Sequence, residues 1–317
     1  MADYLPPTPQ AYNLLFRGFK ALLPLSLLLW IPQIASLQAM GRTSSSKARL
    51  NLPGRYAWTI AESVGPLNML FIIYTLPSRL QPPAASPASL LGTGMPFFYH
   101  ELLALLYLLH YVNRAIITPL FLAPSMSPIA APVSILMALF QYANSSCLSC
   151  WLVYNAHFQL SHSNSAPHTS SSLLSPLFTN PLPLLGVVLF ALGLYSNISS
   201  ETTLFALRRA AALRRAKSEG KPLHNLSYDK VYVIPEPKGW FKYVLYPHYT
   251  MEWMEWTGYW LTGALAGLGW WGTPAMWFVV NEVATMAPRA AHGWRWYEGK
   301  FGNRALARRA AVLPGLL

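Results

Sequence analysis

Residues 246–261, YPHYTMEWMEWTGYWL, join two properties that conflict in a water-soluble helix. The run is apolar and aromatic enough to enter a bilayer, yet His248, Glu252 and Glu255 stand at its leading end. Glu252 and Glu255 are three residues apart, so a helix presents both carboxylates on one face. An ionisable group inside a membrane segment is costly, and it faces a cavity, a partner or a substrate path rather than lipid. Downstream, a second apolar run ends in APRAAHGWRWYEGKF, residues 287–301, which is dense in Arg, His and aromatic groups. Together these pieces predict a polar pocket closed by two consecutive helices.

The rest of the chain fits that environment. Of its 317 residues 53% are hydrophobic and only 11% charged, a balance foreign to ordinary soluble domains. The formal charge of +12 does not indicate nucleic acid, because the basic residues lie between long apolar runs, as in membrane-protein loops. A hydrocarbon core of ~30 Å needs about 20 apolar residues per helix. The pattern predicts an all-α polytopic membrane protein with seven spans, near 13–38, 56–76, 97–121, 131–156, 182–208, 249–270 and 273–291. The chain reads as one integral-membrane domain over 1–317, without internal repeats. Its first apolar run is too long for the core of a signal peptide, lacks a clear cleavage site and reads as the first helix.

Loop charge sets the orientation. Segment 39–55 carries Arg42, Lys47, Arg49 and Arg55 without an acid, 77–96 only Arg79, and 157–181 no Asp, Glu, Lys or Arg. Segment 208–245 and the tail are strongly basic. Under the positive-inside rule this alternation predicts an outer N-terminus and a cytosolic C-terminus. Glu62 then lies ~9 Å inside the second span at 1.5 Å per residue, and Tyr111 and Arg114 reach a similar depth on the antiparallel third span. Asn197, Glu201 and Arg208 share one face of the fifth. Arg289 and His292 close the seventh. Short carboxylates snorkel poorly, so Glu62, Glu201, Glu252 and Glu255 predict a polar cavity in the cytosolic half, with nothing comparable in the outer half. Glu101 reads as interfacial, and His110 and His157 as isolated structural histidines.

Other chemistries find little support. Neither G-x-G-x-x-G nor a Walker pattern occurs, and no His/Cys spacing suits a metal. Cys147 and Cys150, inside SSCLSCWLVY, read as small buried residues rather than a disulfide or metal pair. The sequons at Asn144 and Asn197 fall inside predicted spans.

The segments YVIPEPKGWFKYV, YTMEWMEWTGYWL and PRAAHGWRWYEGKF with its basic tail, SNISSETTLFALRR on the fifth span, AWTIAES around Glu62 and LLHYVNR around Tyr111 have a common likeness. Over most of its length the chain resembles the steroid 5α-reductase family, the membrane 3-oxo-5α-steroid 4-dehydrogenases. The resemblance implies seven helices, an endoplasmic-reticulum membrane, and NADPH held from the cytosolic side mainly by residues 182–317. It implies reduction of the 4,5 double bond of a 3-oxo-Δ4-steroid, with Glu62 and Tyr111 as the catalytic pair on the C3 carbonyl. Arg114, Asn197, Glu201, Arg208, Tyr232, His248, Glu252, Glu255, Arg289, His292 and Tyr297 would lie around the dinucleotide. The chain departs from the family pattern at Val233, at Lys238–Gly239, at His248 and at Gly293.

The residue types suit that reaction. Conjugate reduction of an enone needs hydride at the β carbon and donors on the carbonyl oxygen, where negative charge develops. A carboxyl held protonated in an apolar site supplies one donor and a phenol a second. Arginines on the rim suit a cofactor bearing phosphates. Three relatives in chemistry or sequence remain as alternatives: a trans-2-enoyl-CoA reductase, a polyprenol reductase, and an S-adenosylmethionine-dependent membrane methyltransferase of the isoprenylcysteine type. The Glu62–Tyr111 pair favours the steroid, and the tail with Tyr297 speaks against the methyltransferase.

Overall fold

The computed structural model describes residues 7–31, 34, 50–80, 91, 98–162, 175–222 and 226–315. Much of the predicted linkers 39–55, 77–96 and 157–181 lies outside the described residues, including Arg42, Lys47 and Arg49. The described chain is an all-helical bundle with one very short sheet. Helix α1 (Pro9–Ser26) starts at Thr8, whose side chain accepts from the Ala11 amide at 3.3 Å, and continues as a 3₁₀ turn over Leu27–Trp30. Most of the remainder of the expected span, residues 32–33 and 35–38, lies outside the described residues. Ile31 is extended because Pro32 follows it and disfavours helical geometry in the preceding residue.

The next helices are α2 (Gly54–Leu80) and α3 (Phe98–Tyr111), the latter running on as π-helix over Val112–Leu122. Then come α4 (Ala131–His162), the short α5 (Ser175–Thr179), α6 (Pro183–Ser218), α7 (Pro247–Leu265), α8 (Pro274–Phe301) and the single turn α9 (Asn303–Leu306). Strands β1 (Asn51–Leu52) and β2 (Ile129–Ala130) pair antiparallel, Asn51 opposite Ala130, and tie the start of α2 to the start of α4.

Five of the long helices are long and apolar enough to cross a membrane: α1 with its 3₁₀ turn, α2, α3 with its π-helical run, α4 and α6. Residues such as Leu67, Phe71, Leu136, Leu139, Val188 and Tyr195 are exposed on their outer faces, as lipid-facing positions must be. Helices α7 and α8, of 19 and 28 residues, are long enough to span but are not among those five. The turn between them, GLGWWGTP, closes through Gly267, Gly269 and Gly272, all at positive φ. Helix α6 outruns its expected end by ten residues because RRAAALRRAKS is a strong helix former.

The closest helix packing is α6 against α7. A Cβ on Gly186 would sit 2.4 Å from the Thr262 amide nitrogen, and one on Gly258 2.3 Å from that of Phe190. Where lipid is as apolar as leucine, such small residues let backbones meet and dispersion forces hold them. One further expectation needs correction. Glu101 is buried rather than interfacial and accepts from the Leu91 amide at 3.1 Å. Beside it, Asn155 accepts from Gln159 and meets His100 Nε2 at 3.0 Å, so the end of the bundle where α3 begins has a polar cluster of its own. Cys147 and Cys150 are buried free thiols on α4.

Candidate active site

The site is assembled at the half of the bundle where α2 and α4 begin and α3 ends. Tight α6–α7 packing brings two polar faces together. Asn197 Nδ2 on α6 donates to the His248 carbonyl at 3.1 Å and to Glu252 Oε2 at 3.3 Å. One turn further on, Glu201 Oε1 meets Arg114 Nη1 from α3 at 3.4 Å. Arg114 also lies over the Trp58 ring, 4.8 Å from its centroid.

Helix α3 supplies the centre. Its His110, expected to be an isolated structural residue, stands between the two carboxylates of α7. Nδ1 is 2.8 Å from Glu255 Oε1, Nε2 is 3.9 Å from Glu252 Oε1, and the ring packs 4.5 Å from that of Trp256. Spacing hid this because both partners lie 142 or more residues away in the chain. From Tyr111 on, α3 changes to π-helical bonding, a form frequent at functional sites. Pro119 cannot donate the bond that this pattern directs at the Arg114 carbonyl; Trp58 Nε1 donates to it instead at 3.3 Å. The carbonyls that end the helix are covered by Arg55, on Leu120 and Ala123 at 2.6 and 2.9 Å, and by Arg209, on Leu122 at 2.8 Å.

Glu62 and Tyr111 are both buried in the same region. Gln141 of α4 donates to Glu62 Oε2 at 2.5 Å, while Glu62 Oε1 has no partner among the described residues. Tyr111 packs its ring 4.5 Å from Tyr107 and 6.3 Å from Trp256, and lies within electrostatic reach of Glu62. Of the groups predicted from separate spans, Asn197 meets Glu252 and Arg114 meets Glu201, while Glu62 and Tyr111 lie within electrostatic reach of each other.

The remaining predicted residues occupy the rim. Arg208 bonds Ser125 through its hydroxyl at 3.0 Å and its carbonyl at 3.4 Å, and lies 6.0 Å from the Tyr228 ring. Tyr232 packs 4.7 Å from Trp296, with the Lys300 ammonium 4.8 Å above its ring. Tyr297 stacks on Phe301 and meets Tyr246 edge-on. Arg289 is within electrostatic reach of His248 and has no hydrogen bond or ion pair among the described residues. His292 points elsewhere, its Nε2 3.1 Å from the Leu29 carbonyl at the end of α1. The basic tail is docked: Leu245 and Tyr246 donate to the Ala310 and Ala311 carbonyls at 2.9 Å, and Arg309 is buried among four backbone carbonyls.

Comparison with known proteins places the chain in a family. The sequence model of the 3-oxo-5-alpha-steroid 4-dehydrogenase family matches residues 130–317, more than half of the chain and all of α4 to α9. The chain belongs to that family. It is similar to an uncharacterized protein of Schizosaccharomyces pombe, 29% identical over 84% of this chain and 85% of the relative. The steroid 5-alpha-reductase DET2 of Solanum lycopersicum is 31% identical over 66% of each chain. The 3-oxo-5-alpha-steroid 4-dehydrogenase 1 of Macaca fascicularis is 27% identical over 83% of this chain and 79% of its own.

In this family member, sequence reasoning missed four polar residues of the site: Tyr107, His110, Gln141 and Glu282. Glu282 of α8 lies within electrostatic reach of Glu252, Arg114, Glu62 and Glu255. A carboxylate in the middle of an apolar helix was a readable signal. Gln141 and Tyr107 carried none, because neutral polar groups are common inside membrane helices.

Proposed function

We propose that this chain is an oxidoreductase of the endoplasmic-reticulum membrane, its C-terminus cytosolic, that reduces the C4–C5 double bond of a 3-oxo-Δ4-steroid. The observation that carries the reading is the buried pair Glu62 and Tyr111, presented by antiparallel helices, with Glu62 held on one oxygen and unpartnered on the other. Family membership and the names of the relatives support the substrate class.

A carboxyl fixed through Oε2 keeps Oε1 free to meet a substrate oxygen. Glu62 and Tyr111 would donate to the C3 oxygen and hold the negative charge that develops there during reduction, an effect of about 3–4 kcal/mol per donor in oxyanion sites. The aromatic layer of Tyr107, Trp256, Tyr259 and Phe278 next to the pair excludes water and suits a flat apolar ring system.

The chain also fits a dinucleotide. His248 Nδ1 and Glu255 Oε2 are buried without hydrogen-bond partners among the described residues, a costly state that a polar ligand would relieve. Arg114, Asn197, Glu201, His248, Glu252 and Glu255 would hold the polar end, and Arg208, Tyr232, Arg289 and Tyr297 the phosphate-bearing remainder. His292, turned toward Leu29, would act through the first helix. NADPH, when bound, supplies the hydride.

Product analysis tests the reading. Purified protein with NADPH is offered testosterone, progesterone, a trans-2-enoyl-CoA and a polyprenol side by side. The expected product is the 5α-dihydrosteroid; reduction of the acyl thioester or the polyprenol alone would overturn the steroid assignment.

A further inference from the structure

The environment of Glu62 contains more than the reaction described above uses. Gln141 donates through Nε2 to Glu62 Oε2 at 2.5 Å. Its other end, Oε1, is buried and has no hydrogen-bond partner among the described residues. The hydroxyl of Tyr107 is also fully buried, with no hydrogen bond of good geometry among the described residues, and its side chain interacts with that of Tyr111. Both atoms face one point: a Cβ placed on Gly65 would lie 2.7 Å from the Tyr107 hydroxyl and 3.0 Å from Gln141 Oε1. Gly65 is the residue three after Glu62 on the same helix, and its lack of a side chain makes the space the two groups occupy. A phenol can donate and an amide oxygen can accept, so two chemically matched groups face one point. Tyr107 in turn packs on Tyr111, with ring centroids 4.5 Å apart.

We propose that Gln141 is a positioning residue for the reaction, the bridge that fixes the Glu62 carboxyl from one side and meets Tyr107 on the other. It rests on the assignment of Glu62 and Tyr111 given above. The physical case is rotational. A glutamate has three soft torsions, and a carboxyl bonded on neither oxygen would sweep through orientations useless to a carbonyl acceptor. Anchoring Oε2 to an amide on α4 leaves Oε1 as the one oxygen presented to substrate. The Nε2 bond to Glu62 fixes the amide in turn, and its far end lies next to Tyr107. Helices α2, α3 and α4 are thereby coupled through one side chain. An apolar residue at 141 would satisfy packing but orient nothing.

A double-mutant cycle on single-turnover hydride transfer, run with the steroid substrate, separates this role from a merely structural one. In Gln141→Leu the rate is expected to fall roughly 10- to 100-fold, the scale of a small misplacement of a catalytic group. The same change made in a Glu62→Ala background is expected to add nothing, because the group it positions is gone. Gln141→Glu, which keeps shape and packing, guards against a folding artefact. It is expected to shift the pH profile of kcat/KM, since two facing carboxyls bond only when one carries a proton. A wild-type rate in Gln141→Leu, an equal loss with and without Glu62, or an unmoved pH profile in Gln141→Glu would each overturn the role of Gln141. A wild-type rate in Glu62→Ala would instead overturn the catalytic assignment itself, and with it this proposal.

Discussion

Gly193 on α6 lies against the backbone of Glu255 on α7 so closely that a Cβ there would come within 2.5 Å of the Glu255 amide nitrogen and 2.6 Å of its Cα. The acidic face of α7 is thus set by a residue with no side chain. Gly193→Ala is expected to destabilise the protein by roughly 1–3 kcal/mol, as overpacking does. Gly299→Ala, whose Cβ would meet nothing within 4 Å, is expected to be neutral or slightly stabilising. Thermal melting in detergent compares the two, and equal midpoints would refute the close-packing account.

His110 ties Glu255 to α3 through a 2.8 Å contact inside the bundle. Its removal leaves a buried carboxyl with no partner on either oxygen among the described residues, since Glu255 Oε2 already has none there. His110→Ala is expected to cost about 1–3 kcal/mol, as leaving a buried hydrogen-bonding group unsatisfied does. Adding Glu255→Gln should recover part of that loss. Strictly additive losses in the double variant would show that the two groups are not coupled.

At the carbonyl site, Glu62→Ala and Tyr111→Phe are each expected to slow hydride transfer by roughly two to three orders of magnitude. NADPH affinity should barely move, because neither side chain belongs to the rim. Glu62→Gln discriminates between roles. An amide still donates a hydrogen bond but lends no proton, so partial activity indicates polarisation and complete loss indicates proton donation.

The two arginines proposed for the phosphate-bearing part of the cofactor should behave differently. Arg289 has no hydrogen bond or ion pair among the described residues, so Arg289→Ala is expected to weaken NADPH binding without lowering the melting temperature. Loss of one charge-assisted hydrogen bond corresponds to about 1.5–3 kcal/mol. Arg208 holds Ser125 through two contacts, and Arg208→Ala should lower both affinity and stability. Calorimetric titration and melting on both variants check the contrast.

Arg309 follows two consecutive left-handed residues, Ala307 and Arg308, and donates to Leu306, Pro235, Phe241 and Ala305 carbonyls. Arg309→Lys is expected to release the tail almost as fully as Arg309→Ala, because an ammonium lacks the planar fork that reaches several carbonyls. Limited proteolysis after residue 301 reads this directly. A protected tail in the lysine variant would show that charge alone suffices.

Much of this protein was legible in one dimension. Apolar run lengths determined the long helices, and carboxylates stranded in those runs marked the half of the bundle that holds the site. Spacing on a single helix was equally readable, so Glu252 and Glu255 on α7, and Asn197 and Glu201 on α6, share faces as expected. What the tertiary structure decided is which neutral or distant groups those faces meet. His110 looked solitary until α3 was laid across α7, and Gln141 carried no charge to betray it. Arg309 resembled any basic tail residue until its carbonyl partners, up to 74 residues away, closed around it. The physical reason is that local sequence sets periodicity and solvation cost, whereas hydrogen-bond pairing between helices depends on rotation and register. These follow from packing contacts, such as those of Gly186, Gly193 and Gly258, that no stretch of sequence contains by itself.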